Sequence, residues 1–337
     1  EAVATPVTVA VTDLLTKDAL KIAGLEGYLP PYTADDIHGI HRRFTAMDRH
    51  ATYRYKGIEV DLVPAGHIPG ASMYLYRGDR DFMFTGDLQT IPTHLVGGAE
   101  PRECEVLVME STYAGREHPD RVETERTFRR DIQEVVERGG KVVVPAFAVG
   151  RAQEVLLTLA SSGFRVWLDG MARKVNEIYR SAPEYLADAK RFRRALEGVR
   201  TVQHSAERRE ALRDADVIVT TGGMLDGGPV LYYIAEMYKE ARNAIYLTGY
   251  QVEGSNGRQL MDKGTLTIDE VTVRPECEIK KFDFSAHAGH SDLVKFVHAT
   301  RADTVVLMHG DMRERLAESL RNEVKVIMPE NGEKFTV

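Results

Sequence analysis

The stretch Lys141-Val-Val-Val-Pro-Ala-Phe-Ala-Val-Gly-Arg-Ala-Gln-Glu154 decides the fold. Lys141–Phe147 is a mostly apolar run with strand character, and Val149–Leu159 continues with helical spacing. Just upstream, Glu123–Arg138 carries apolar residues at Phe128, Ile132, Val135 and Val136, a helical period that Gly139-Gly140 stops. The alternation continues downstream. Arg165–Leu168 predicts a strand and 171–181 a helix; Val217–Thr220 predicts a strand and 229–240 a helix; Ala244–Thr248 predicts a further strand. Strands alternating with helices predict a doubly wound parallel sheet, which binds ligands beyond the carboxyl ends of its strands. Those ends carry Ala148-Val-Gly-Arg151, Asp169-Gly170, Thr221-Gly-Gly-Met-Leu-Asp-Gly-Gly228 and Gly249-Tyr-Gln251.

The sequence on either side has another rhythm. Residues 7–48 read as helical, with Thr33-Ala-Asp-Asp36 as a capping box for a helix through His41. From Tyr53 short strands follow at Ile58–Val63, Met73–Arg77, Asp81–Thr85 and Val106–Met109, separated by glycine-rich turns. After about residue 256 that style returns at Val271–Val273, Ile279–Phe284, Thr304–Met308 and Lys325–Met328. The β/α block therefore reads as an insertion: a first domain over 1–115, the block over 116–255, and the first domain resumed over 256–337.

A chain of 337 residues accommodates two domains with ample core. The longest apolar runs, such as Val142–Val144, are far too short to span a bilayer, so no membrane association is expected. Two cysteines, Cys104 and Cys277, support neither a disulfide framework nor a cysteine zinc finger, which fits a reduced, cytoplasmic setting. A net charge of -7 argues against a bulk electrostatic nucleic-acid binder. Local basic clusters such as Lys190-Arg-Phe-Arg-Arg194 read as solvated helix faces.

Four separated sites each place a histidine or aspartate after a strand-like run and beside small residues: Gly66-His67-Ile-Pro-Gly70, Thr85-Gly86-Asp87, Ser285-Ala286-His287 and Met308-His309-Gly310. Taken alone, each histidine reads as a surface residue or a hydrogen-bonded core residue. Together the four sites suit a metal-centred active site. Zinc takes imidazole nitrogen and carboxylate oxygen, and a strand-end aspartate such as Asp87 suits a bridge between two ions. The loop Thr221–Pro229 joins a strand to a helix. Its glycines let backbone N–H groups approach a phosphate, and the same spacing also suits a plain βα turn.

These residues resemble a known family. Pro64-Ala-Gly-His-Ile-Pro-Gly-Ala-Ser72 and Phe84-Thr-Gly-Asp-Leu88 resemble the third and fourth motifs of the metallo-β-lactamase fold. Glu110, in Val106-Leu-Val-Met-Glu-Ser-Thr-Tyr113, resembles motif A of the β-CASP nucleases; Asp283-Phe-Ser-Ala-His287 resembles motif B, and Val305-Val-Leu-Met-His-Gly-Asp311 motif C. Pro145–Glu154, Gly223-Met-Leu-Asp-Gly-Gly-Pro229 and Gly249-Tyr-Gln251 are similar as well. The motifs keep the family order along the whole chain, which is most similar to archaeal homologues of the cleavage and polyadenylation specificity factor nuclease.

The resemblance implies an α/β fold: a metallo-β-lactamase αββα domain, incomplete at its N-terminus, with the doubly wound β-CASP domain inserted. It implies a zinc-dependent ribonuclease, endonucleolytic or 5′-to-3′ exonucleolytic, acting in RNA 3′-end processing, transcription termination or RNA decay. Two zinc ions are expected, with His67 and His309 as terminal ligands and Asp87 as the bridge. His287 is the implied general acid, held by Glu110; a carboxylate partner raises a histidine's pKa and fixes its tautomer. A histidine at the position of His309 points to RNA rather than DNA. Ser285, Gly222, Gly223, Met224, Gly227, Gly228, Tyr250 and Arg151 are the expected RNA-binding groups, Tyr250 either as a stacking platform or as packing at the domain seam. His204 is a weaker candidate. The resemblance also implies a homodimer formed through the C-terminus. The family's His-x-His-x-Asp-His signature does not occur in this sequence and is expected just upstream of residue 1; the opening Glu1-Ala-Val-Ala-Thr-Pro6 reads as the middle of a domain. Two alternatives remain, a catalytically silent scaffold subunit and a hydrolase of small esters or lactams. The inserted domain disfavours the second.

Overall fold

Val142–Ala146 is buried at all five residues, as the inner strand of a parallel sheet covered on both faces must be. It lies fourth in a six-stranded, all-parallel sheet ordered Val199–Thr201, Val166–Asp169, Val217–Thr221, Val142–Ala146, Ala244–Leu247 and Glu278–Lys281. Alternate side chains of one strand face opposite sides. Val142 and Val144 join a core with Phe128, Ile132, Leu156 and Tyr246, while Val143 joins a second core with Trp167, Ile218, Tyr233 and Ile234. Two cores on two faces make the sheet doubly wound.

The computed structural model describes residues 2–337; Glu1, on which part of the reading of the chain's opening rests, lies outside the described residues. The chain divides into two compact units. One comprises residues up to Glu117 together with Ala286–Val337, and the other is His118–Ser285. The boundary expected at residue 255 is therefore corrected. Glu278–Lys281 pairs in parallel with Ala244–Leu247, so it belongs to the sheet of the second unit. Its neighbours explain the attachment. Glu278 accepts hydrogen bonds from Tyr246 and Arg138, both at 2.8 Å, and the rings of Phe282 and Phe284 meet Phe128 edge-on at 5.0 and 5.1 Å. The basic clusters do lie on helices, Ala189–Glu197 and Arg208–Asp214, whereas the helices Asn256–Lys263, His290–Thr300 and Arg313–Leu320 and the strand Val199–Thr201 were not expected from the sequence. These elements are short, and a brief apolar period is a weak signal.

The first unit holds a mixed seven-stranded sheet ordered Lys325–Ile327, Thr304–Met308, Val106–Glu110, Phe82–Phe84, Ser72–Arg77, Ile58–Pro64 and Thr52–Tyr55. The last four strands form an antiparallel meander; the first four run parallel. The helical reading of 7–48 is half right. Thr5 caps a helix over Pro6–Glu26, and Thr33 and Asp36 form the expected capping box for Ala34–His41. Phe44–Ala46 is instead a strand, parallel to Ala2–Ala4. No helix among the described residues is long and apolar enough to cross a membrane.

The sheet order positions the chemistry. Phe82–Phe84, Val106–Glu110 and Thr304–Met308 are adjacent and parallel, so their carboxyl ends lie side by side. Asp87, Glu110 and His309 stand at those ends, and His67 follows the strand Ile58–Pro64 of the same sheet.

Candidate metal centre

Asp87 is the centre of the arrangement. Its Oδ2 lies 3.7 Å from Nε2 of His67 and its Oδ1 lies 3.7 Å from Nε2 of His309. Both distances are too long for hydrogen bonds. Two donors about 2.0–2.2 Å from a shared zinc stand roughly 3–4 Å apart, so the spacing suits ligation. Each histidine addresses a different oxygen of the carboxylate, as a bridging aspartate between two ions would require. Donor atoms of His67, Asp87 and His287 also all lie within 4.8 Å of one another.

The loops that present these groups are tightly determined. Gly66 has a φ of +74°, and a Cβ there would lie 2.0 Å from the carbonyl oxygen of Gln89. Only glycine permits that approach. Nδ1 of His67 lies 2.8 Å from the carbonyl oxygen of Ala286. A carbonyl can only accept, so Nδ1 carries the proton and Nε2 keeps its lone pair toward Asp87, the arrangement that orients a metal-binding histidine. Burial pushes the pKa of His67 down, and the neighbouring His287 adds to the shift; the neutral ring is the ligand form.

His309 takes a left-handed backbone conformation, φ +47°, which is unusual outside glycine. Ser111 holds it there. The Ser111 N–H donates to the carbonyl of His309 at 3.2 Å and the hydroxyl to the carbonyl of Met308 at 2.7 Å. A Cβ on Gly310 would come within 2.3 Å of the Ser111 carbonyl, so this turn too needs glycine. The side chain of His309 is 65% exposed, unlike that of His67 at 19%, and is the accessible member of the set.

His287 stands apart chemically. Its Nδ1 lies 2.8 and 3.0 Å from the two oxygens of Glu110, whose side chain is buried. Glu110 also accepts from the Leu88 N–H at 2.5 Å and from the Thr112 hydroxyl. Burial raises the pKa of Glu110, but the bonds from His287, Thr112 and Leu88 outweigh it and hold the carboxyl below its usual range. Glu110 is thus a carboxylate that fixes the His287 ring.

The expected RNA-binding groups all lie in the second unit, after strand ends of its sheet. Arg151 follows the turn after Val142–Ala146 and donates through Nη1 to the Thr248 carbonyl at 2.8 Å. Gly222, Gly223, Met224, Gly227 and Gly228 follow Val217–Thr221, and Tyr250, 42% exposed, follows Ala244–Leu247. The three strands are neighbours, so these loops adjoin one another. The Ser285 N–H donates to Asp283 Oδ1 at 2.9 Å. His204 is exposed. The glycine loop is heavily braced. Gln251 Nε2 donates to the Gly223 carbonyl at 2.9 Å, the Gly257 N–H to the Met224 carbonyl at 2.7 Å, and Asn256 Nδ2 to the carbonyl of Leu225 at 2.9 Å. Leu225 itself is left-handed at φ +64°.

Comparisons with known proteins show the family. A family model described as the Beta-Casp domain matches residues 152–260, and one described as the Zn-dependent metallo-hydrolase RNA specificity domain matches residues 272–329. The protein named Probable RNase MJ4 of Methanocaldococcus jannaschii is 34% identical, over 96% of this chain and 79% of its own length. RNase aCSPSF2 of Saccharolobus solfataricus is 35% identical, over 99% of this chain and 69% of its own length. The chain belongs to the metallo-β-lactamase-fold β-CASP ribonuclease family. The transcription termination factor FttA of Thermococcus kodakarensis is 32% identical over 93% of this chain, which spans 53% of that protein. A crystal structure of a protein of unknown function from Enterococcus faecalis V583 superposes on 98% of this chain and 74% of its own with a TM-score of 0.61 at 15% identity, a likeness of fold alone.

As a β-CASP protein the chain belongs to a zinc-dependent class, and the donor set fits that metal: imidazole nitrogens and a carboxylate, with the hydrogen bond at Nδ1 fixing the His67 tautomer. The sequence did not point to Leu88, Gln89, Ser111, Thr112 or the Ala286 carbonyl, all of which hold the site. Thr112 and Ser111 adjoin Glu110 and were within reach. Gln89 and the backbone groups carry no local signal.

Proposed function

We propose that this protein is a zinc-dependent ribonuclease that hydrolyses RNA phosphodiester bonds in RNA 3′-end processing, transcription termination or RNA decay. The observation that carries this reading is the division of labour around Asp87: two histidine Nε2 atoms on its two oxygens, beside a third histidine tied to a buried carboxylate. The names of the relatives, RNases and transcription termination factors, support the substrate class.

In this reading His67, Asp87 and His309 would hold the metal, the two histidines as terminal ligands and Asp87 as the carboxylate both of them face. Bound zinc supplies Lewis-acid activation of the attacking water and of the phosphate oxygen. His287 is the general acid. Its Nδ1–H stays with Glu110, and its protonated Nε2 gives a proton to the leaving oxygen as the P–O bond breaks. Glu110 stabilises the imidazolium before transfer and keeps the same ring orientation after it. Arg151, Tyr250, Ser285 and the glycines of 222–228 contact the RNA chain, through charge, stacking and backbone N–H groups. Dimerisation through the C-terminus and a cytoplasmic location complete the proposal. The chemistry is the same for endonucleolytic and 5′-to-3′ exonucleolytic cleavage; product lengths tell them apart.

The test is cleavage of end-labelled RNA by the full-length protein with zinc, beside the Asp87→Ala variant. Wild-type cleavage that Asp87→Ala abolishes is expected. Undiminished cleavage by the variant overturns the reading. RNA that is bound but not cut by the wild type overturns it in favour of a silent scaffold.

A further inference from the structure

Gln89 is a buried polar residue, 5% exposed, two positions after Asp87. An apolar side chain would fill its place without the cost of burying an amide. Its bonding explains its presence. The backbone N–H donates to the Ala65 carbonyl at 3.0 Å, beside the His67 loop, and its carbonyl accepts from Ala99 at 2.7 Å. The side chain works in both senses at once. Oε1 accepts from the Ile91 N–H at 3.0 Å, while Nε2 donates to the backbone carbonyl of His287 at 2.9 Å. Leu88 reinforces the link: its carbonyl accepts from the Ala288 N–H at 2.7 Å, and its own N–H reaches Glu110.

His287 is therefore gripped at three points. Glu110 holds its ring, Gln89 its carbonyl, and Leu88 the N–H of the following residue. Two of the three grips come from the short segment that begins at Asp87. We infer that Gln89 is a positioning residue: it sets His287 at a fixed place relative to Asp87 by joining the two loops across 198 residues of sequence. The inference rests on the role of His287 proposed above. The requirement is chemical. The position needs an acceptor toward Ile91 and a donor toward His287, and a carboxamide offers both. Glutamate keeps the acceptor and turns an oxygen against the His287 carbonyl. Methionine keeps the volume and offers neither group.

Q89E and Q89M in the full-length protein, compared with wild type and H287A, test this. Measurements are zinc content, melting temperature, and kcat and KM for RNA cleavage. Expected for both Gln89 variants is a fall in kcat of about 10–100-fold, the scale of a displaced catalytic group, with KM and zinc content unchanged. In an H287A background, Q89M removes no further activity, because the group it positions is gone. Should Q89E fold poorly, Q89M carries the test. Wild-type kcat in Q89M beside an inactive H287A overturns the positioning role while leaving the function intact. A loss of rate that follows a loss of zinc or of folded protein also overturns it. Wild-type kcat in H287A itself shows instead that the reading of His287 is wrong.

Discussion

His287 Nδ1 lies 2.8 Å from Glu110 Oε1, a pairing between residues 177 apart in sequence, and the carboxylate beneath it is fully engaged by Leu88 and Thr112 as well. A ring held this way points one nitrogen into a buried anchor and leaves the other for chemistry. His287→Ala is expected to keep its zinc and lose about 10²–10⁴-fold in kcat, the usual contribution of a positioned acid. Glu110→Gln is expected to lose less, since an amide oxygen still accepts from Nδ1–H but carries no charge to favour the imidazolium. Metal analysis beside RNA-cleavage kinetics checks both. Loss of zinc from His287→Ala would make it a ligand, in keeping with its closeness to His67 and Asp87.

Asp87→Ala removes the group that His67 and His309 both face, so on the proposed reading zinc binding and cleavage should fall together. His309→Ala offers a cleaner comparison. Its side chain is largely exposed and packs on little, so the melting temperature without zinc should stay close to that of wild type while zinc affinity drops. Calorimetric zinc titration checks this.

Gly66→Ala is expected to be severely destabilising. The residue must keep a φ of +74° while its new methyl group meets the backbone of Gln89 at 2.0 Å and of Ala99 at 2.5 Å. Backbone neighbours cannot swing aside, and such strain costs on the order of 1–3 kcal/mol before any rearrangement. Urea unfolding should show it, and the Ala65–Gly70 loop should lose protection in hydrogen exchange.

Glu278 predicts a pH dependence of stability. Burial raises its pKa, but Lys280, Tyr246 and Arg138 more than offset this and bring it down from 4.5 to about 2. A depressed carboxyl pKa gives stability that is complete above the unfolded value and is lost as pH falls. The contribution should therefore fade between pH 4.5 and about 2. Glu278→Gln should be less stable than wild type at neutral pH and show a shallower acid decline in that window. Melting temperatures measured from pH 7 to 2 check it.

Asn256→Ala addresses the glycine loop. Asn256 bonds to Leu225 and Thr267 through its side chain and to Asp226 through its N–H. Without the amide, the left-handed Leu225 loses its fastening. RNA binding should weaken severalfold while zinc content stays unchanged, as fluorescence anisotropy and metal analysis would record.

Periodicity alone exposed the doubly wound sheet, because strands buried on both faces are continuous apolar runs such as Val142–Val144 and their helices repeat every three to four residues. Motifs carried the family and with it Glu110, and strand ends flagged His67, Asp87, His287 and His309, since a small residue beside a polar one after a strand is visible locally. How those groups work together depends on contacts between residues far apart in the chain. The return to the first unit comes after Ser285 rather than near 255 because Glu278–Lys281 finds its partner strand and Phe282 and Phe284 find Phe128, contacts no local pattern encodes. The division into a pair of histidines facing Asp87 and a third facing Glu110 depends on side-chain directions at three parallel strand ends and at the loops that bring in His67 and His287. The grip of Gln89 on His287 is a hydrogen bond to a backbone carbonyl, and every residue has one, so only the folded chain could say which carbonyl it would be.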